Sequence, residues 1–183
     1  NQGSHALFIL DKNLKGIEHI DTPLFSHTYA HHHSIYKFNN VKVSKNNIVG
    51  KEGDGMAFTH SWFRHERLGI AARCCGAAER LIAEATDFAK ERESFGDKIS
   101  NYQSIQNMLA DSVTELASTR LLLYEICKAH DLKEDVKILH AKCSMIKLNA
   151  SEMANRVADR AVQIFGGRGY MRENVAERFY REL

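Results

Sequence analysis

Glu66 and Arg67 are adjacent charged residues that could do acid–base chemistry. They directly precede the apolar run 68–72, in a segment with helical spacing. A carboxylate there is either an exposed surface position or a partly buried acid held beside a guanidinium. A carboxylate that has lost its water becomes basic enough to remove a proton from a weak carbon acid. The two residues by themselves leave both interpretations open.

Arg92 and Phe95 belong to a second motif, Arg-Glu-Ser-Phe-Gly, at the predicted end of the first long helix. As ordinary structure, a cation stabilises the C-terminal end of a helix, and Gly96 ends it. As a binding site, the planar guanidinium of Arg92 can hold a phosphate, and Phe95 offers a flat surface to a ring. Both interpretations again remain.

Gly166, Gly167 and Gly169 follow the third predicted helix. Nucleotide-binding glycine loops follow a strand and begin a helix, so this position excludes a Rossmann or Walker loop. A helix C-cap in the left-handed αL conformation accounts for one of the three glycines. Closely spaced glycines also let backbone N–H groups approach a phosphate without an obstructing Cβ. The turn is therefore a candidate ligand contact.

The histidines do not predict a metal centre. The helical di-iron motif needs a Glu followed three residues later by His, and this sequence contains no such pair. His27 and the histidine run 31–33 lie in a predicted loop or strand, where consecutive side chains point in different directions. His60 and His65 are five residues apart and so lie off the four-residue step that shares a helix face. We expect no bound metal.

The composition excludes several classes of function. Lys and Arg exceed Asp and Glu by only two residues, 25 against 23, which argues against a nucleic-acid-binding surface. No apolar run approaches the ~18 residues of a membrane-spanning helix. The four cysteines lack Cys-x-x-Cys spacing and lie in apolar helical patterns, which is typical of reduced thiols in an intracellular protein.

The elements that must position these motifs change character near residue 55. Before it, short β-type runs lie at 6–10, 16–20, 34–38 and 41–43, and the Asn39-Asn40 pair predicts a hairpin between the last two. After it, helical spacing predicts four helices, over 56–92, 100–131, 134–164 and from Arg172 onward. The second begins at Ser100, with Gln103 in the capping-box position. Pro23 is the single proline, so none interrupts these helices.

The pattern predicts a mainly α fold, in which a C-terminal four-helix up-down bundle follows a partial antiparallel β domain. The β part is assigned to residues 1–54 and the bundle to residues 55–183, with the bundle incomplete at its end. Three helices of ~30 residues, far longer than the usual ~11–12, are typical of a bundle. We expect the chain to be a piece of a larger protein, cut at both ends.

Taken together, these motifs resemble the acyl-CoA dehydrogenase family of flavoproteins. The most specific are Arg-x-x-Phe-Gly at 92–96 and Gln-x-x-Gly-Gly-x-Gly-Tyr at 163–170. The resemblance follows the family's order along nearly the whole chain. The matching segments are Glu66 to Ala72, Arg92 to Gly96, Tyr102 to Gln106, Leu109 to Asp111, Ala161 to Tyr170, Glu177 to Arg181 and, in the β part, Phe38 to Val43 with Gly50 and Gly53 to Gly55.

The resemblance implies that the chain is the end of the family's middle β domain plus most of its C-terminal bundle. It also implies a homodimer or homotetramer that binds FAD between domains and across a subunit interface. By motif position, the FAD of a neighbouring subunit would contact Arg92, Gln103, Gln163, Ile164, Phe165, Gly166 and Gly167, with Phe95 packed nearby. Alone, the 183-residue chain is expected to be inactive and to hold no FAD.

The implied activity is α,β-desaturation of an acyl-CoA thioester. A glutamate removes the α-proton while the β-hydrogen leaves as hydride to the flavin, and an electron-transfer flavoprotein takes the electrons. The family places this glutamate at one of two sites. Glu66 matches one of them, with Arg67 helping to hold the substrate pocket, whereas the other is a Tyr-Glu-Gly-Thr type motif beyond Leu183. Glu66 is therefore the predicted catalytic residue.

Alternative functions keep the same fold. An acyl-CoA oxidase or a nitroalkane-oxidising enzyme would pass electrons to oxygen, and a non-catalytic relative would act in assembly or binding. The presence of Glu66, Arg92 and Gln103 argues against a non-catalytic protein. The expected location is inside the cell, which means the cytoplasm in a bacterium and the mitochondrial matrix or peroxisome in a eukaryote.

Overall fold

The computed structural model describes residues 5–27 and 33–183. Its helices are α1 (Gly55–Glu91), α2 (Gln103–Asp131), α3 (Val136–Phe165) and α4 (Val175–Glu182). Its strands are β1 (Leu7–Phe8), β2 (Ile17–Asp21), β3 (Ile35–Phe38), β4 (Ile48–Val49), β5 (Glu93–Ser94) and β6 (Asp97–Lys98). The prediction of a mainly α fold with a small antiparallel β part is confirmed.

The chain divides into two compact units, Asn1–Phe63 and Arg64–Leu183. The first turns of α1 belong to the first unit, where the Gly55 N–H donates to the His5 carbonyl over 2.9 Å. In the same unit the Phe58 ring lies directly against Gly50. The domain assignment at 1–54 and 55–183 stays a prediction.

In the first unit, β1 pairs antiparallel with β4, and β2 pairs antiparallel with β3. The hairpin predicted at Asn39-Asn40 is wrong, because β3 pairs with the earlier strand and residues 41–43 are not in a strand. The Asn39 N–H donates instead to the Gly16 carbonyl over 2.8 Å, which extends the β2–β3 pairing. Asn40 does have a positive φ, 49°, so the residue type correctly indicated a turn.

Side-chain caps determine where α3 and α4 begin. The Asp135 carboxylate accepts hydrogen bonds from the backbone N–H groups of Lys137 (3.0 Å) and Ile138 (3.1 Å). The Asn174 side chain accepts from the Ala176 N–H over 2.8 Å. Because these caps satisfy first-turn N–H groups, α3 and α4 begin two or three residues later than the apolar spacing predicted.

The start of α2 differs from the prediction. Ser100 is not its N-cap, because it lies in a short 3₁₀ turn, Ile99–Asn101, and α2 begins at Gln103. The predicted capping box is therefore wrong. Tyr102 precedes the helix with an extended backbone, and its hydroxyl donates to the Ser94 carbonyl over 2.6 Å. This bond holds the start of α2 against the β5–β6 hairpin.

Contacts within the second unit fix the helix directions. Along α1, the contacting residues of α2 decrease in number, so the two helices are antiparallel, and the same holds for α2 and α3. Along α1, the contacting residues of α3 increase in number, so these two helices are parallel. The pairs are His65–His130 and Glu79–Arg120 for α1 and α2, Glu115–Arg156 and Thr119–Asn149 for α2 and α3, and Arg67–His140 and Phe88–Phe165 for α1 and α3. These three helices therefore run up, down and up.

One apolar core lies between the helices of this unit. The buried side chains recur at three- and four-residue spacing, which gives each helix one apolar face. They include Ala71, Cys74, Ala78, Leu81 and Ala85 of α1, Leu116, Leu123 and Ile126 of α2, Cys143, Ile146, Met153, Val157 and Ile164 of α3, and Ala176 of α4. Burial raises the pKa of the Cys74 and Cys143 thiols, so both stay protonated at neutral pH.

Candidate active site

A pocket of about 440 Å³ lies where the C-terminal ends of α1 and α3 meet. It is lined by five of the eight predicted cofactor residues, namely Arg92, Ile164, Phe165, Gly166 and Gly167. The remaining lining comes from Phe88, Ser94, Ile99, Arg168 and Met171. Residues far apart in the sequence thus form one concave surface, with two guanidiniums beside a glycine turn.

The parallel course of α1 and α3 brings the two halves of the pocket together. The Phe88 and Phe165 rings pack with their centroids 4.9 Å apart, so the last turns of the two helices are in contact. The backbone of Arg92 is fixed on both sides, since its N–H donates to the Phe88 carbonyl and its carbonyl accepts from the Ile99 N–H, each over 2.9 Å. Arg92 itself is exposed and so remains accessible to an anion.

The three glycines of the turn after α3 differ in why the position holds, or could hold, a glycine. Gly166 has φ 57° and ψ −135°, so the positive φ was predicted correctly, but the αL conformation, with ψ near about +47°, was not. A Cβ on Gly169 would lie 2.6 Å from the Val162 carbonyl oxygen. A Cβ on Gly167 would meet no heavy atom of the described residues within 4 Å. The packing of the described residues therefore does not require a glycine at position 167, and the missing side chain leaves open space at the pocket.

The other three predicted cofactor residues, Phe95, Gln103 and Gln163, do not line the pocket, and all three are exposed. Phe95 lies at the tip of the β5–β6 hairpin. Gln103 begins α2 next to this hairpin, because the preceding residue, Tyr102, bonds to the hairpin through its hydroxyl. Gln163 lies in the last turn of α3, where its carbonyl accepts the N–H of Gly166.

Glu66 lies far from this pocket on α1. Its carboxylate is 4.0 Å from the Arg73 guanidinium, and 49% of its side chain remains exposed. The described residues therefore do not bury this carboxylate. The roughly 26 residues between Glu66 and Arg92 correspond to about 39 Å of helix at ~1.5 Å per residue. The predicted base and the pocket are thus separate features of one chain.

Arg67 connects α1 to α3. Its Nη1 atom donates to Nε2 of His140 over 2.9 Å, in a partly buried position. Since a guanidinium can only donate, Nε2 accepts this bond and carries no proton of its own. The bond restricts the Arg67 side chain next to Glu66.

Metal ligands and membrane spans were both predicted to be absent. The His27 and His33 rings lie 6.2 Å apart between centroids, whereas His31 and His32 lie outside the described residues. Within residues 5–27 and 33–183, no three His, Cys, Asp or Glu side chains form a group that could hold a metal ion. In the same ranges, no helix has the length and apolar character needed to cross a membrane.

Residues 53–183 match the family model of the acyl-CoA dehydrogenase C-terminal domain. The chain belongs to the acyl-CoA dehydrogenase family. This confirms the resemblance seen in the motifs, and it agrees with the long helices of the second unit. The matched part of this family member contains Glu66, the Arg92 pocket and the glycine turn.

Individual relatives agree with this assignment. The chain is 36% identical to an acyl-CoA dehydrogenase of Bacillus subtilis (strain 168), over 100% of this chain and 48% of that relative. It is 38% identical to the caffeyl-CoA reductase–Etf complex subunit CarC of Acetobacterium woodii, over 78% of this chain and 37% of CarC. A solved structure of PigA with FAD and proline superposes with a TM-score of 0.89 at 28% identity, over 96% of this chain and 45% of PigA. The chain thus spans less than half the length of these relatives.

Of the five pocket residues that the sequence did not predict, Arg168 is the charged one. It lies inside the glycine turn, is exposed, and lines the pocket together with Arg92. The signal was present in the motif, because a cation between glycines places positive charge next to backbone that no Cβ obstructs. The pocket can therefore offer two guanidiniums and unobstructed backbone to one anionic ligand.

Proposed function

We propose that the protein is an FAD-dependent acyl-CoA dehydrogenase that desaturates the α,β bond of an acyl-CoA thioester. The observation that carries the proposal is the pocket that joins Arg92 to Gly166 and Gly167. Family membership supports the flavin dehydrogenase chemistry, and the PigA structure with FAD shows that a related protein binds this cofactor.

The residues of the pocket fit the diphosphate of FAD. The two guanidiniums of Arg92 and Arg168 match the charge of a diphosphate, and the open space at Gly167 lets it approach the backbone. Phe95 offers an exposed ring nearby for stacking. When bound, FAD supplies the acceptor for the hydride that leaves the β carbon.

Glu66 is the base in this proposal. Its carboxylate takes the α-proton, whose C–H electrons become part of the new α,β double bond as the β-hydrogen leaves with its own pair. The Arg67–His140 bond holds the neighbouring guanidinium in one position, which shapes the substrate pocket around the carboxylate. Half of the Glu66 side chain is still exposed, so substrate and further protein must exclude water from it during the reaction.

A second copy of the chain completes the site in our proposal. About 39 Å of helix separates Glu66 from Arg92, so one carboxylate cannot serve a cofactor held by the pocket of the same chain alone. A homodimer or homotetramer can place the pocket of one copy beside the base of another. Large apolar side chains exposed on α2 and α3 could form the contact: Val113, Leu121, Tyr124, Met145 and Leu148.

We further propose an electron-transfer flavoprotein as the electron acceptor and an intracellular location. CarC, whose name places it in an Etf complex, supports the acceptor. The four free cysteines, three of them buried, support a reducing compartment. This would be the cytoplasm of a bacterium, or the mitochondrial matrix or peroxisome of a eukaryote.

The experiment is anaerobic mixing of the full-length protein with a panel of acyl-CoA thioesters, followed by the flavin absorbance. We expect at least one thioester to bleach the flavin, and the reduced protein to reoxidise slowly in air but rapidly with an electron-transfer flavoprotein. Failure of every thioester to bleach bound FAD would contradict the proposed substrate class. Rapid reoxidation by oxygen would identify an oxidase instead.

A further inference from the structure

The first unit contains a second cavity, of about 590 Å³, which lies between the turn before β2 and the turn after β3. Three lysines line it, Lys15, Lys37 and Lys42, together with the single carboxylate of Glu18. Its lining has no residue in common with the Arg92 pocket. The cavity therefore concerns a different site from the proposed flavin chemistry.

Hydrogen bonds of the backbone fix the shape of this cavity. The Ile17 N–H donates to the Leu14 carbonyl over 3.0 Å, and the Asn39 N–H donates to the Gly16 carbonyl over 2.8 Å. Gly16 has φ 97°, and a Cβ there would lie only 2.3 Å from the Asn39 carbonyl oxygen. Glycine is thus required for the two turns to approach this closely. The lysines are consequently held on a defined frame rather than on a loose loop.

The charge around the cavity is not balanced by the described residues. Glu18 lies opposite Lys37 in the β2–β3 register and can offset one lysine at most. No described carboxylate lies within 4.0 Å of the ammonium groups of Lys15, Lys37 or Lys42, although such pairs occur at many lysines and arginines of the second unit. Three ammonium groups and one carboxylate leave a net charge of +2 around one concave surface.

The cavity also offers neutral hydrogen-bond donors. Asn39 and Asn40 lie on its wall, and each side-chain amide carries an NH₂ group. Ammonium groups that face one cavity repel each other, and an anion with several acceptor oxygens relieves this repulsion while accepting their hydrogen bonds. A phosphate group has this charge and geometry, whereas a single carboxylate or chloride satisfies fewer of the donors.

We propose that this cavity binds a phosphate-bearing ligand through Lys15, Lys37 and Lys42, with Asn39 and Asn40 as additional donors. The ligand is a diphosphate, either free or attached to a nucleotide. Both sources present the same pair of linked, negatively charged phosphate groups, and the experiment distinguishes between them.

The test titrates the ¹⁵N-labelled full-length protein with inorganic pyrophosphate and separately with ADP, and follows the backbone and side-chain amide signals of Gly16, Asn39 and Asn40. We expect these signals to shift saturably with at least one probe. The double variant Lys15→Gln/Lys42→Gln should weaken binding at these signals by about tenfold or more, because two charge-assisted bonds are lost. A tighter fit for ADP would identify a nucleotide as the source, and equal affinities a free diphosphate.

The matched control is Lys12→Gln/Lys45→Gln, which removes the same charge from two exposed lysines outside the cavity lining. It should change the affinity by less than about twofold, since only general charge is altered. An equal loss in both double variants, or no saturable shift with either probe, would overturn the proposal. Thermal melting of all variants verifies that the exposed substitutions leave the fold intact, and the result does not depend on flavin bleaching.

Discussion

Phe95 and Gly96 are the two central residues of the β5–β6 hairpin, and both have a positive φ, 54° and 86°. A bulky residue in this region is strained by about 1 kcal/mol or more. The Phe95 ring is 98% exposed, so it gains no burial in this chain that would offset the strain. The ring is therefore positioned for a contact outside the core of its own chain, which agrees with a stacking role towards the proposed FAD.

Replacing Phe95 by asparagine separates strain from binding. Because asparagine tolerates positive φ, we expect Phe95→Asn to raise the free energy of unfolding slightly, by about 0.5 kcal/mol. FAD affinity should fall about tenfold, since a stacking aromatic ring is lost. Urea denaturation measures the first effect, and fluorescence titration of the full-length apoprotein with FAD measures the second. Phe95→Leu is the control, because it keeps an apolar side chain in the strained position. It should lower the FAD affinity without raising the free energy of unfolding. Unchanged FAD affinity in both variants would exclude the stacking role.

Glu66→Gln removes the proposed base and keeps its size. We expect substrate bleaching of the flavin to slow by about a thousandfold, because general-base catalysis contributes on this order, while FAD remains bound. Rapid-mixing absorbance with the best acyl-CoA measures the rate. Glu125→Gln, at an exposed carboxylate on α2, is the control and should bleach at the normal rate. Normal bleaching in Glu66→Gln would exclude Glu66 as the base.

The features that the sequence predicted well depend on local spacing. The three long helices follow from apolar residues at three- and four-residue steps without an interrupting proline. Arg92 and the 164–167 segment were grouped by the family resemblance and not by spacing. They line one pocket because both lie at helix ends and α1 and α3 run in parallel, and their contact with a cofactor stays a prediction. Positive φ at Asn40 and Gly166 follows from the residue types.

The features that the sequence missed depend on partners that are distant in the chain. The predicted strand at 34–38 had two candidate neighbours in the sequence. In the structure this strand, β3, pairs with β2 and not with the nearer segment 41–43. Ser100 had the residue type and spacing of an N-cap, but the bond from Tyr102 to Ser94 moved the helix start to Gln103. The environment of Glu66 is a property of neighbouring surfaces, which residue spacing along α1 does not encode.

Glu115 makes the stability of the helical unit depend on pH. It accepts hydrogen bonds from Arg156 Nε (2.8 Å) and Arg160 Nη2 (2.7 Å). Partial burial by itself raises the pKa of Glu115, but the hydrogen bonds from Arg160 and Arg156 outweigh burial and hold the pKa below its ordinary value of 4.5. A carboxyl group with a lowered pKa stabilises the fold above its unfolded pKa, and this stability is lost as the pH falls through the folded pKa.

We therefore expect Glu115→Gln to lower the free energy of unfolding by about 1 kcal/mol at neutral pH, and by much less near about pH 3. Urea denaturation at the two pH values measures both differences. Glu152→Gln is the control, because its carboxylate is 3.9 Å from Arg156 and 66% exposed. It should cost less than about 0.5 kcal/mol at either pH. A loss in Glu115→Gln that is equally large in acid would show that the pair of arginine bonds is not its cause.

Alanine substitutions at the glycine turn distinguish packing from ligand binding. We expect Gly169→Ala to lower the free energy of unfolding by about 2 kcal/mol, because its Cβ would clash with the Val162 carbonyl 2.6 Å away. Gly167→Ala should leave the melting temperature unchanged or slightly higher, since its Cβ meets no described heavy atom within 4 Å. The same methyl group fills the space through which the proposed diphosphate approaches the backbone, so FAD affinity of the full-length protein should fall about tenfold. Thermal melting and FAD titration of the two variants measure these opposite outcomes, and normal FAD binding by Gly167→Ala would mean that the cofactor does not approach the turn at this residue.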